Sequence, residues 1–160
     1  MSEQHTITAL VQNETGTINR LVSMFRRRGI SLASFNAGDC EQEGYSRLTL
    51  VVNGDDAALR QTLRQLEKLI DVVEVDDLKG ENSLDRELAL IRVDCGEGDR
   101  TAVLRIAQEF AAKTPRSTAD SLFVEFVGRT TGVERLIGAL TPFGIREIVR
   151  TGAVAIRTNG

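Results

Sequence analysis

The sequence contains no tryptophan, and among its 160 residues only two are cysteine, two are proline and one is histidine. With so few cysteines, neither a disulfide framework nor a multi-cysteine metal site is available, and a reducing cytosol is the expected setting. No apolar run approaches the roughly 20 residues that cross a bilayer, and the polar residues 1–6 predict no signal peptide, so we expect a cytoplasmic protein. The net charge of −3 creates no basic field, so neither nucleic acid nor membrane is an expected partner.

The remaining composition is that of a packed globular protein. Hydrophobic residues make up 41% of the chain and charged residues 27%, which is too apolar for a disordered protein. A chain of 160 residues forms one domain or two small ones.

In the first half of the chain, segments with the hydrophobic period of a strand alternate with segments that have the period of a helix. A period of two predicts strands, and apolar residues three and four positions apart predict helices. The predicted order is a strand (5–12), a helix (18–25), two strands (30–38 and 45–52), a helix (59–70) and a strand (71–78). This β-α-β-β-α-β order is typical of the ferredoxin-like fold.

The second half, after a short polar linker at 79–83, repeats strand and helix patterns of the same kind. We therefore predict an α+β protein of two ferredoxin-like domains, 1–78 and 84–160, each an antiparallel sheet with helices on one face. Two such small domains have thin hydrophobic cores, and each sheet leaves one face uncovered. Pairing with another copy of the chain would cover these surfaces, so we expect a homodimer.

Candidates for catalysis and metal binding are few. His5 lies on the first predicted strand without a nucleophile nearby, Cys40 is in an acidic loop that does not favour a reactive thiol, and Cys95 ends a strand. The turn before the third helix has two glycines but matches only part of a nucleotide-binding pattern. We expect Asp99 to cap that helix. We predict no catalytic and no metal-binding residues, which makes a small enzyme the weakest hypothesis.

The stronger candidate for a ligand site is the turn Asn13-Glu14-Thr15-Gly16, which joins the first strand to the first helix. A helix start offers unpaired N–H groups and a positive dipole, and both suit a carboxylate. Gly16 has no Cβ, which lets a ligand approach the backbone, and the Asn13 side chain both donates and accepts hydrogen bonds. These properties suit an α-amino acid, although the same residues also form a good turn without any ligand.

The opening segment, ITALVQNETGTINRLVSMFRRRGISLASF, resembles an ACT domain, a small amino-acid-sensing module. The whole chain resembles the family of small, regulatory subunits of acetolactate synthase (acetohydroxyacid synthase). Three further segments carry this resemblance in the family's order: SRLTLVV at 46–52, LDRELALIRV at 84–93 and FGIREIVRTGAVAIRT at 143–158.

The resemblance implies a regulatory subunit that is no enzyme by itself. Such a homodimer binds the large catalytic subunit, raises its activity and confers feedback inhibition by valine or a related branched-chain amino acid. The resemblance places the cofactors, thiamine diphosphate, FAD and magnesium, on the catalytic subunit and none in this chain. The alternative is a free-standing ACT-type amino-acid sensor without a synthase partner.

The resemblance also implies an effector site. Asn13 and Gly16 match the family's loop, with backbone amides near Thr17 and Ile18, and Ser31 stands where an asparagine from the second copy is usual. A serine has one donor fewer and a shorter reach than an asparagine. We further expect the apolar side chain of valine to lie against Ile18 and Leu32.

Overall fold

A computed structural model describes residues 3–159, apart from the side chain of residue 81. The chain forms two compact units. The first runs up to Leu84 and includes the chain from Ala153 onward, and the second is Asp85–Gly152.

The first unit has the predicted β-α-β-β-α-β order. Its strands lie side by side in the order β2-β3-β1-β4, and all neighbours are antiparallel. This is the ferredoxin-like sheet, so the predicted fold is confirmed. The elements are β1 (Gln4–Gln12), α1 (Thr17–Arg27), β2 (Ser31–Asp39), β3 (Tyr45–Asn53), α2 (Asp56–Glu67) and β4 (Val72–Leu78).

Local residues explain where α2 begins. Asp55 is its N-cap, and the carboxylate accepts a hydrogen bond from the Ala58 N–H at 2.9 Å. This satisfies one of the amides that have no partner within the helix. The helix therefore begins directly after the turn that follows β3.

The core of the first unit lies between its sheet and its helices. Alternate residues of β1 and β3 meet Leu21, Met24 and Phe25 of α1 and Leu59 and Leu66 of α2. The apolar face predicted for α1 is only partly correct, because Ile18 and Val22 are 42% and 48% exposed. These two side chains lie one turn apart on a face that the chain itself does not cover.

The second unit has the same layout and contains a strand that the sequence pattern did not predict. The unpredicted strand, β6, reads KTPRS, and all five residues are exposed at the edge of the sheet, so it has no apolar alternation. The strand order is β6-β7-β5-β8. The elements are β5 (Ser83–Asp94), α3 (Glu97–Glu109), β6 (Lys113–Ser117), β7 (Ser121–Gly128), α4 (Thr130–Leu140) and β8 (Ile145–Arg150).

The expected cap of α3 is wrong. Gly96 occupies the N-cap position without a side-chain hydrogen bond, and Asp99 lies inside the first turn. Asp99 thus contributes its negative charge near the helix start, where the dipole favours it.

The end of the chain belongs to the first unit, which differs from the predicted second domain, 84–160. The last strand, β9 (Val154–Arg157), donates a hydrogen bond from Ala155 N to Thr49 Oγ1 at 3.2 Å. Arg157 pairs with Asp76 at 2.7 Å. Thr49 alternates with the core residues of β3, so the tail covers part of the sheet face that we expected another copy to cover.

Within the described residues, no helix is both long and apolar enough to span a membrane.

Candidate functional site

The turn between β1 and α1 requires a glycine at position 16. Gly16 is the N-cap of α1 and has a φ of +91°, in the left-handed region that favours glycine. The first hydrogen bond of the helix runs from Arg20 N to Gly16 O at 2.9 Å. The N–H groups of Ile18 and Asn19 precede it, so they have no carbonyl partner within the helix.

Thr17 stabilises this turn from the inside. Its side chain is buried, and its hydroxyl donates to Gln12 O at 3.0 Å and accepts from Glu14 N at 3.3 Å. Its own N–H donates to Glu14 O at 3.1 Å. The amide at position 17 is therefore used by the turn itself, and the amides that follow, at Ile18 and Asn19, face outward from the helix start.

The sequence reasoning missed Arg20, the residue that brings positive charge to this turn. Its Nε donates to Asp71 Oδ2 at 2.6 Å and its Nη2 to Asp71 Oδ1 at 3.1 Å. The bond to Asp71 raises the pKa of Arg20 above its ordinary value. Arg20 and Asp71 are 51 positions apart, so no local pattern could have paired them.

The side of Gly16 that lacks a Cβ faces this arginine. A Cβ at position 16 would lie 3.1 Å from Arg20 Nη1 and 3.8 Å from Cζ. The missing side chain thus leaves room for the guanidinium of the same chain, in addition to permitting the positive φ. Whether a ligand also approaches the backbone there stays a prediction.

Asn13 lies at the edge of the same turn. Its Nδ2 donates to Asp39 Oδ1 at 3.4 Å, and its backbone N donates to Gly44 O at 2.8 Å. Both the Asn13 and the Asp39 side chains are exposed. The Asn13 side chain thus contacts the end of β2, and its backbone contacts the loop that follows.

Ser31 and Leu32 lie far from this turn within one chain. β1 and β2 are both antiparallel to β3, so they run in the same direction, and Ser31 is at the start of β2 whereas Asn13 follows the end of β1. Nine strand residues span about 30 Å. The structure therefore brings Asn13, Gly16, Thr17 and Ile18 together but places Ser31 and Leu32 at the other end of the sheet.

The side chains considered for catalysis contact backbone carbonyls or lie in the core. His5 Nε2 lies 3.1 Å from Gly54 O, and the Cys40 thiol lies within hydrogen-bond distance of the carbonyls of Gln42 and Tyr45. Cys95 is buried in the core of the second unit. The fold brings together one group of possible metal ligands, Glu3, His5 and Asp56, of which the sequence analysis considered only His5.

Comparison with known proteins matches both halves of the chain to related family models. Residues 7–74 match the family described as "AHAS small subunit-like ACT domain". Residues 86–159 match the family described as "Small subunit of acetolactate synthase". Together these matches span most of the two units.

Whole-length relatives agree with these matches. The acetolactate synthase small subunit of Mycobacterium leprae is 39% identical over 152 residues, covering 95% of this chain and 90% of its own. A probable acetolactate synthase small subunit of Archaeoglobus fulgidus is 37% identical over 153 residues, covering 96% of each chain. Among solved structures, the acetolactate synthase small subunit of Thermotoga maritima superposes with a TM-score of 0.88 at 32% identity and covers 97% of each chain.

Proposed function

Because this chain belongs to the family of acetolactate synthase small subunits, we propose that it regulates an acetolactate synthase catalytic subunit. It binds the catalytic subunit, raises its activity and makes it sensitive to valine or a related branched-chain amino acid. It performs no catalysis by itself, and thiamine diphosphate, FAD and magnesium act on the catalytic subunit. Nothing in this role requires nucleic acid or a membrane.

The observation that carries the proposal is the open start of α1, with the Arg20 guanidinium beside it. The helix has no acidic residue in its first turn and no side-chain bond at its N-cap, and Arg20 lies beside Gly16. Outward N–H groups and a nearby cation favour a carboxylate. Asn13, on the same turn, supplies an amide oxygen that can accept from the ammonium group of an amino acid.

A second copy of the chain completes the site in this proposal. Ser31 and Leu32 lie at the opposite end of the sheet from Gly16, and β2 is an edge strand of that sheet. The half-exposed Ile18 and Val22 supply apolar surface on α1. A homodimer joined here would bring Ser31 and Leu32 of one copy to the turn of the other and bury these side chains.

The free energies of effector binding and of coupling to the catalytic subunit suit feedback control of metabolism. Feedback needs a dissociation constant between micromolar and millimolar, or about −4 to −8 kcal/mol. One carboxylate at a helix start, a few hydrogen bonds and a small buried side chain supply this range. A coupling of about 1–3 kcal/mol between effector and catalytic subunit gives inhibition of roughly 5- to 150-fold.

Reconstitution with an acetolactate synthase large subunit tests the proposal. Acetolactate formation is measured with the large subunit alone, with this chain added, and with this chain and valine, leucine or isoleucine. We expect the chain to raise the rate and a branched-chain amino acid to lower it again. Binding of the amino acid without any effect on the large subunit would instead favour the free-standing sensor, and no effect of either kind would reject both.

A further inference from the structure

Glu3, His5 and Asp56 form a cluster at the end of the first sheet opposite Gly16. Glu3 and His5 are two positions apart along extended chain, so their side chains lie on the same face of the sheet. Asp56 is the first residue of α2. One potential ligand atom from each of the three lies within 4.8 Å of the other two. Because Glu3 and Asp56 are exposed, small rotations of their side chains bring all three onto one ion.

His5 is the most firmly held member of this cluster. Its side chain is only 11% exposed, and its Nε2 lies 3.1 Å from Gly54 O and 3.9 Å from Glu3 Oε2. Ligand atoms about 2.0–2.1 Å from a tetrahedral ion lie about 3.3 Å from one another. The two observed spacings bracket that value. An ion bound at Nε2 therefore reaches the Glu3 carboxylate and also the Gly54 carbonyl.

The cavity beside the cluster contains a second feature that favours a cation. It has a volume of about 450 Å³ and is lined by Glu3, His5 and Asp56 together with Asp77 and Lys79. Asp77 Oδ1 is buried and, in the part of the chain that the structure describes, has no hydrogen-bond partner. A buried carboxylate oxygen without a donor is costly, and a cation or a water bound to one satisfies it.

The charges that line this cavity fit a divalent ion. Glu3, Asp56 and Asp77 supply three negative charges, and Lys79, 3.5 Å from Asp77 Oδ2, supplies one positive charge. With a neutral His5, three negative charges and one positive charge leave a net charge of −2. A nitrogen ligand beside carboxylates favours a first-row transition metal over Mg²⁺ and Ca²⁺, which prefer oxygen ligands.

From these observations we propose that Glu3, His5 and Asp56 bind a divalent transition-metal cation, represented by Zn²⁺, and that this ion has a structural role. It joins the start of β1 to the start of α2. The ion takes the place of the proton on His5 Nε2, and the ring stays neutral with its proton on Nδ1. The site is separate from the turn at Gly16, and the proposal does not depend on the regulatory function.

Titration of the full, untagged chain with Zn²⁺ by calorimetry tests the site. We expect one ion per chain, and we expect His5→Gln and Asp56→Asn each to weaken binding by about 10-fold or more. Glutamine keeps an N–H that can donate to Gly54 O, but its neutral amide is a poor zinc ligand. Glu97→Gln is the matched control, because it removes a charge from the first turn of α3 as Asp56→Asn does from α2, and it should leave the affinity unchanged.

Because His5 is the single histidine of the chain, its ring gives a direct readout in the wild-type protein, whether or not a variant folds. With ¹⁵N-labelled histidine, NMR should show the proton on Nε2 before Zn²⁺ is added and on Nδ1 afterwards. Cys40→Ser should show the same change, which would exclude the half-buried thiol as the zinc ligand. If Zn²⁺ leaves the signals of the His5 ring unchanged, the site is rejected.

Thermal unfolding provides an independent measurement. An ion that binds only the folded chain raises the melting temperature, by about 5–10 °C at a free concentration of about 100 times the dissociation constant. We expect this rise with Zn²⁺ in the wild-type chain, a much smaller one with Mg²⁺ at the same concentration, and none with Zn²⁺ in His5→Gln. Absence of Zn²⁺ binding to the wild-type chain, or equal affinity in His5→Gln, would overturn the proposal and leave the regulatory function untouched.

Discussion

Asn53 donates a hydrogen bond from Nδ2 to Ser31 Oγ at 3.1 Å, and both residues lie at the end of the first sheet opposite Gly16. Asn53 in turn accepts from Gln4 Nε2 at 3.1 Å. The Ser31 hydroxyl is thus already oriented by its neighbour on β3, and it remains at the surface. Within one chain it lies far from the start of α1, so its part in the proposed site depends on the proposed second copy.

Ser31→Asn should strengthen valine binding. The longer amide reaches further across the proposed dimer and adds a donor, which corresponds to about 0.5–1.5 kcal/mol, or roughly 2- to 10-fold in the dissociation constant. Calorimetry on the isolated chain measures this. Equal or weaker binding by the variant would remove Ser31 from the site.

Mixing two inactive variants tests whether the site is shared between copies. We expect Gly16→Asp and Ser31→Asp each to bind no valine as homodimers. In a mixed dimer, one of the two sites combines the intact Gly16 of one copy with the intact Ser31 of the other, so a fully exchanged equimolar mixture should regain about a quarter of a site per chain. If mixing restores no binding while exchange of subunits is verified, the two residues do not act across an interface.

Gly16→Asp should abolish inhibition by valine and leave activation of the large subunit in place. Aspartate is one of the few residues that tolerate a positive φ, and its carboxylate would lie near Arg20 Nη1 at the start of α1, where the proposed effector would place its own carboxylate. The measurement is a valine inhibition curve of the reconstituted synthase. Gly98→Asp, which adds the same charge on α3 where a Cβ meets no neighbour within 4 Å, is the control and should leave the curve unchanged.

Asp55→Ala should lower the free energy of unfolding by about 1 kcal/mol, because it removes the cap bond to Ala58 N at the start of α2. Urea denaturation followed by circular dichroism measures the loss. Asp56→Ala is the comparison, since Asp56 lies in the first turn and contributes only charge there. A loss as large for Asp56→Ala as for Asp55→Ala would contradict the cap.

Arg150→Met should destabilise the second unit severely. Arg150 Nε donates to Glu87 Oε1 at 2.7 Å, the Glu87 side chain is only 2% exposed, and the bond raises the pKa of Arg150. Removing the arginine leaves a buried carboxylate without its partner, which costs about 3–5 kcal/mol.

The matched control for that variant is Arg146→Met. Arg146 pairs with Asp94 at 2.9 Å, but both side chains are about half exposed, so the loss should stay within about 1 kcal/mol. Chemical denaturation of both variants gives the comparison. Similar losses for the two would show that burial of Glu87 is not what makes its ion pair important.

Several features could be predicted because they depend on neighbours along the chain. The strands of the first sheet and the turn at Gly16 were predicted from periods and turn residues. β6 could not be predicted, since a polar edge strand containing Pro115 carries no hydrophobic alternation. Ile18 and Val22 have helical spacing, yet spacing does not tell which part of an apolar stripe the chain itself covers.

By itself, the sequence determined the order of the elements in the first unit, the ferredoxin-like repeat and the position of the candidate turn, because these follow from local periodicity and backbone preferences. Only the tertiary structure decided that Arg20 is held by Asp71, that Ser31 lies at the far end of the sheet and that β9 returns to the first unit. The physical reason is that pairing between distant residues is set by the register of the strands and by the need of buried charges for partners. Neither the strand register nor the partner of a buried charge can be inferred from the spacing of residues along the chain.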